Sequence, residues 1–198
     1  KNTNTYISYD LIQKYDVQKI NVDIDLLTNN NELNIEKLKN SDIKFKNAEY
    51  MFNEKFIVSR EVEKMSKSKF NVVSPDKICD KYGADTLRMY EMFLGPLEQS
   101  KPWNMDGITG VHNFLKKFWN LFHNESRFNV LDTKPNEKSL KILHKTIKKV
   151  NSDIESFSFN TCVSAFMICV NELSSLNEKS SMVLRNLCLL MSPFAPHI

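Results

Sequence analysis

Glu63-Lys64-Met65-Ser66-Lys67-Ser68-Lys69 sets three lysines among two serines and a methionine. An ammonium on a flexible stem is a point charge able to follow a moving polyphosphate, and a hydroxyl donates to phosphate oxygens. The residue types are therefore those of phosphate chemistry. The apolar neighbours Val62, Met65 and Phe70 follow no helical stripe, so the segment reads as a loop carried by structure on either side. On composition alone a solvated charged loop is the simpler reading. The order of the residues decides otherwise. Ser66 and Ser68 are expected to bond phosphate or brace the loop, and Met65 to anchor it apolarly. No His and Asp pattern marks either serine as a nucleophile, and Glu61 and Glu63 read as exposed charges rather than an acid and base pair.

Lys64 to Ser68 spell K-M-S-K-S. Downstream stand Asn71-Val72-Val73-Ser74-Pro75-Asp76, Lys81-Tyr82-Gly83-Ala84-Asp85-Thr86-Leu87-Arg88 and Glu91-Met92-Phe93-Leu94-Gly95-Pro96-Leu97-Glu98-Gln99-Ser100-Lys101-Pro102-Trp103. Farther on come His144-Lys145-Thr146-Ile147-Lys148-Lys149-Val150 and Ser192-Pro193-Phe194-Ala195-Pro196-His197-Ile198. The five letters match the signature loop of the class I aminoacyl-tRNA synthetases, and the whole set resembles the bacterial-type leucyl-tRNA synthetases. The likeness covers nearly the whole chain and is weakest before about residue 47. It departs at Phe70, where many class I loops place glycine ahead of Asn71 and so have a freer backbone. The class's other signature, His-x-Gly-His, is absent: the histidines are His112, His123, His144 and His197.

The resemblance implies an enzyme that joins leucine to ATP as an adenylate, with Mg2+ accompanying the nucleotide, and passes leucine to tRNA(Leu). Negative charge moves toward the departing pyrophosphate, and lysines on a loop can meet that charge as it develops without gripping ATP equally hard beforehand. Transferred residue by residue, Lys64 and Lys67 are the catalytic pair, with Lys67 the weightier. Met65, Ser66 and Ser68 complete the ATP-binding stretch, and Lys69 lies outside the signature as a solvated charge. The chain opens on Lys1 and stops at Ile198 inside an apolar run, which reads as an excised piece, inactive and unliganded by itself.

The implied fold is mainly α: an antiparallel helix bundle of the anticodon-binding type, preceded by a small α+β segment carrying the KMSKS loop. Residues 1–50 would be an insertion-like segment, 51–103 the end of a catalytic domain with two stem-contact helices, and 104–198 the bundle. Net charge is only +3, but residues 101–150 hold ten Lys or Arg against four Asp or Glu. That local excess suits an RNA backbone. The candidates for tRNA contact are Arg88, Lys101, Lys116, Lys117, Lys145, Lys148 and Lys149. A stand-alone RNA-binding helical module, a plain helical interaction domain, and a synthetase of isoleucyl or valyl specificity are the competing readings.

Taken in order, Ile20, Val22, Ile24 and Leu26 alternate with polar residues as in a half-buried strand. Residues 28–31 form a turn cluster and 35–40 a short helix, and 48–52 with 56–59 suggest a hairpin feeding the loop. Ser74 and Pro75 start a helix that Gly83 stops, and Asp85 caps the next. A long helix through about residue 123 carries Val111, Phe114, Leu115, Phe118, Trp119 and Phe122. Beside Lys116 and Lys117 this stripe could be a stacking platform, but its regular period favours core, so Trp119→Ala should cost ~3–5 kcal/mol. Leu140, Leu143, Ile147, Val150 and Ile154 stripe the following helix, Asn160 or Thr161 caps a third, and Ser180 or Ser181 starts a fourth. Cys79, Cys162, Cys169 and Cys188 lack C-x-x-C spacing and read as buried thiols, neither zinc ligands nor disulfides. No apolar run nears the ~20 residues of a membrane span. The expectation is a soluble cytoplasmic monomer with no metal site.

Overall fold

The computed structural model describes residues 4–28, 30–125 and 127–198. Residues 1–3 of the opening segment and Asn29 of the turn cluster lie outside the described residues. The chain divides into two compact units, Lys1–Val73 and Ser74–Ile198.

In the first unit β1 (Thr5–Ile7) and β2 (Glu49–Met51) pair in parallel, with Tyr6 opposite Tyr50. Between them come α1 (Ile35–Ser41) and α2 (Ile43–Lys46). Both helices begin on side-chain caps that satisfy orphan amides: Asn34 accepts from Lys37 N at 2.9 Å and Asp42 from Lys44 N at 3.0 Å. Leu33, Leu38, Phe45 and Phe56 form the core, with Tyr6 and Tyr50 packed against them.

Two sequence expectations fail here. The hairpin of 48–52 with 56–59 does not form, because β2 pairs with β1 instead. Residues 56–58 run between Asn31 and Leu33 on one side (Leu33 N to Phe56 O, 2.8 Å) and Tyr9 on the other (Tyr9 N to Ile57 O, 2.8 Å). The strand over 20–26 is replaced by a 3-10 turn at Ile24–Leu26. Asp23 caps that turn by accepting from Asp25 N at 2.9 Å, and a side chain that satisfies backbone locally competes with a ladder.

The second unit is helical. α3 (Pro75–Tyr82) has proline in its first turn and stops at Gly83, whose φ of 87° suits glycine. Then follow α4 (Ala84–Phe93), α5 (Ile108–Phe122), a hairpin of β3 (His123–Asn124) with β4 (Arg127–Phe128), α6 (Glu137–Glu155), α7 (Phe159–Ser175) and α8 (Ser181–Met191). α7 packs against α4, α5 and α6, and α6 also meets α8. A helix touched by three others needs a wide apolar face, and Cys162, Val163, Phe166, Cys169, Val170 and Leu173 are all fully buried. Among the described residues no helix is long and apolar enough to cross a membrane.

Several side chains sit otherwise than periodicity suggests. Trp119 is 48 % exposed and Phe122 half-buried, while Leu121 takes the core position. On α6 the buried row is Ser139, Leu143, Thr146, Val150 and Asp153, and Ile154 is exposed. Two of its polar members are accommodated by hydrogen bonds: Thr146 Oγ1 donates to Ile142 O at 2.9 Å, and Asp153 accepts from Lys149 at 2.6 Å and Thr161 at 2.7 Å. Thr161 therefore lies inside the first turn of α7, where Ser158 is the cap residue, rather than capping it. Asp85 does not cap α4 either. Its carboxylate accepts from His197 N at 2.9 Å and from His197 Nδ1 at 2.8 Å. Cys162 and Cys169 are buried as expected, whereas Cys79 is half-buried and Cys188 exposed.

Two carboxylates tie the helices at their ends. Burial pushes the Asp153 carboxyl up, but the hydrogen bonds from Lys149 and Thr161 outweigh it and hold it below its ordinary value. Glu178 behaves alike: burial raises it, and the amides of Ser180 (2.7 Å) and Lys179 (2.9 Å) are among the bonds that bring it down. A carboxyl depressed in the folded state stabilises the fold above its ordinary range and loses that contribution as pH falls through the folded value. Urea midpoints measured from about pH 7 to about pH 3 should therefore fall on the acid side. The fall should be shallower in Asp153→Asn and Glu178→Gln; identical curves would remove both groups from the account.

Candidate functional site

The KMSKS loop belongs to the first unit, and its shape comes from a few local bonds. Ser66 precedes a 3-10 turn at Lys67–Lys69, and Phe70 ends it in the left-handed region at φ 54°. L-residues adopt that conformation at a cost of about 1–2 kcal/mol. Phe70 is half-exposed, so its ring fills no core, and this is the position at which the sequence departs from the glycine expected of many class I loops. Asn71 closes the loop: its Oδ1 accepts from Ser66 N at 2.8 Å, and its Nδ2 donates to Lys64 O at 3.4 Å. Ser66 and Ser68 hydroxyls meet at 2.9 Å, so they brace the loop.

The three lysines part company. Lys69 pairs with Glu63 at 2.6 Å, correcting its reading as merely solvated, and Glu61 likewise pairs with Lys19. Lys64 and Lys67 are exposed and hold no partner among the described residues. Met65 is 44 % exposed, so it does not anchor the loop in a core. Chemically the arrangement offers two uncompensated ammonium groups on one closed loop, with a third neutralised beside them. Neither Asn71 nor Glu63 was singled out from sequence for this work. The only signal for Asn71 was its residue type, a short amide side chain that commonly bonds nearby backbone.

The RNA candidates lie in the second unit and also divide. Arg88 donates to Pro193 O at 3.1 Å, Lys101 to Gly95 O, Lys117 to Asn171 Oδ1 at 3.1 Å, and Lys149 to Asp153. These four have intramolecular work. Lys116, Lys145 and Lys148 have no partner among the described residues. On α6, Lys145 and Lys148 continue a row begun by Lys138 and Lys141, all exposed and opposite the buried row. Lys138 and Lys141 went unnoticed as ligands, although spacing of three, four and three was there to read. Among the described residues no group of three or more His, Cys, Asp or Glu gathers to hold a metal ion.

Comparison with known proteins finds two family models in the chain. Residues 39–103 match the class I tRNA synthetases (I, L, M and V), and residues 136–198 match the anticodon-binding domain of tRNA ligase. The chain is 58 % identical over 200 residues to a leucine--tRNA ligase of Flavobacterium johnsoniae, covering 100 % of this chain and 21 % of that protein. It is 54 % identical over 199 residues to the same enzyme of Porphyromonas gingivalis, again over 100 % of this chain and 21 % of the relative. The chain thus spans about a fifth of the length of the curated relatives it matches. Among solved structures it is similar to the agnB2 LeuRS of Agrobacterium radiobacter K84, crystallised as a ternary complex with tRNA and LeuAMS. The TM-score is 0.58 and the identity 31 %, over 70 % of this chain and 20 % of that one.

Proposed function

The chain belongs to the leucyl-tRNA synthetases of class I, and from that membership we propose that it supplies the KMSKS loop and RNA-facing helices of a leucine--tRNA ligase. The reaction activates leucine with magnesium-bound ATP to leucyl-adenylate, releases pyrophosphate, and transfers leucine to tRNA(Leu) in the cytosol. Lys64 and Lys67 neutralise charge on the departing pyrophosphate, while Ser66, Ser68 and Met65 hold the loop that carries them. The observation behind this reading is the division of the lysines: Glu63 takes up Lys69 and leaves the two signature ammonium groups free. A cation already paired would give its charge to a phosphate only after breaking its own contact, so the free pair is the one suited to act in the transition state.

In this proposal residues 1–50 are insertion-like, 51–103 end the catalytic domain, and 104–198 form an antiparallel bundle of the anticodon-binding type. The direct test is leucine-dependent exchange of labelled pyrophosphate into ATP by the protein at its relatives' full length. No exchange with leucine, or exchange with isoleucine or valine instead, would refute the assignment.

The lysine row of α6 tracks the tRNA backbone. Changing Lys145 and Lys148 together to glutamate should weaken tRNA retention on filters about tenfold or more near 0.1 M salt. It should also flatten the salt dependence of log K by about two, since roughly one phosphate contact is lost per lysine. Unaltered affinity and slope would remove α6 from the RNA surface. Lys149 is left out of this variant because it is tied to Asp153.

A further inference from the structure

Trp119 lies where a core position was expected, yet it is 48 % exposed. Its indole lies flat on the His123 imidazole, ring centroids 3.9 Å apart and planes within 8°. His123 Nδ1 donates to Trp119 O at 3.1 Å, which fixes the imidazole against the helix end. Phe128 of β4, 72 % exposed, meets His123 edge-on at 5.7 Å. Trp119 also walls a cleft of about 350 Å³ whose lining includes Tyr82, His112 and Lys116. Leaving large aromatic area in water forgoes roughly 25 cal/mol for every Å². Here one face of the indole is already supported by a second ring.

The rim is cationic. Lys116 stands one turn before Trp119 and lines the same cleft, exposed and without a partner among the described residues. A flat aromatic pair with a cation at its edge complements a ring attached to a phosphate, whereas an apolar protein segment would meet an unneutralised charge.

We propose that Trp119, backed by His123, is a stacking platform for an unpaired nucleotide of the bound RNA, with Lys116 contacting the adjoining phosphate. This rests on the RNA-binding reading above and adds to it a base contact that the lysine row does not provide. Stacking on an aromatic ring tolerates any base, so the platform selects an unstacked nucleotide rather than a sequence.

The test compares wild type, Trp119→Phe and Trp119→Ala by filter retention of a leucine tRNA transcript and of a fully paired RNA duplex, each at two salt concentrations. Trp119→Phe keeps a ring and should stay within about threefold of wild type. Trp119→Ala should bind the transcript about tenfold to a hundredfold more weakly with an unchanged salt slope, because no charge is removed. The duplex should be bound alike by all three. Equal transcript binding by Trp119→Ala, or an equal loss on the duplex, overturns the platform and leaves the RNA reading standing. Failure of wild type to bind either RNA overturns both. Unchanged helical circular dichroism in the variants confirms that folding is not being read.

Discussion

Lys67→Ala, made in a protein of the relatives' full length, should lower leucine-dependent pyrophosphate exchange about a hundred- to a thousandfold, the usual cost of one donor aimed at developing charge. Lys67 opens the 3-10 turn of the loop, exposed and unpartnered, so its removal costs the fold little. Exposed substitutions away from contacts stay within about 0.5 kcal/mol of wild type. The loss should therefore appear in turnover with unfolding unchanged. Lys69→Ala is the control: it breaks the pair with Glu63 but removes no free cation, and its effect on exchange should be much smaller. Equal losses in the two variants would mean that the loop acts through its shape or total charge, and the division of labour among its lysines would be wrong.

Phe166→Ala should destabilise the chain by ~3–5 kcal/mol, through lost transfer energy and the cavity left behind. Phe166 is 0 % exposed on α7, the helix that three others touch, and its ring meets Phe194 at 5.1 Å and 76°. A loss of that size is a large share of the ~5–15 kcal/mol by which domains are commonly stable. It should shift the urea midpoint without changing the slope. Trp119→Ala, ranked from sequence as the costly change, should now lose less than about 1 kcal/mol, since an exposed indole leaves no cavity. If Trp119→Ala proved the more damaging, the packing of α5 described above would be wrong.

The contrast between these residues shows what the sequence could convey. The helix boundaries of α3 were legible because proline and glycine act on their own backbone: Pro75 and Gly83 need no neighbour to have their effect. The KMSKS segment was legible by residue type and order, and its separation from helical or strand period was enough to mark a loop. Which face of a helix is buried is another matter, because it depends on the partners. On α6 a count of apolar letters chose Leu140 and Ile154, whereas Asp153 and Thr146 are buried, with Lys149, Thr161 and a backbone carbonyl satisfying them. On α5 the apolar arc was wider than the contacted face, and Trp119 fell outside it. Pairings between distant segments, such as β1 with β2 or Lys69's choice of Glu63 over solvent, are set by where the chain folds back. A linear pattern of types does not encode that directly.

The clip made by Asn71 has a consequence for heredity rather than for chemistry. Because its amide grips Ser66 N and Lys64 O at once, residues 64–71 form a closed ring rather than a row of separate positions. Residues that share a partner do not contribute additively. A change at Asn71 would free Ser66 N and Lys64 O together and so alter what a later change at Ser66, or at Ser68 whose hydroxyl meets it, does, and the order in which such substitutions arise would determine which are tolerated. The five letters by which the loop is known would then drift or persist together, constrained by a sixth residue that their signature omits.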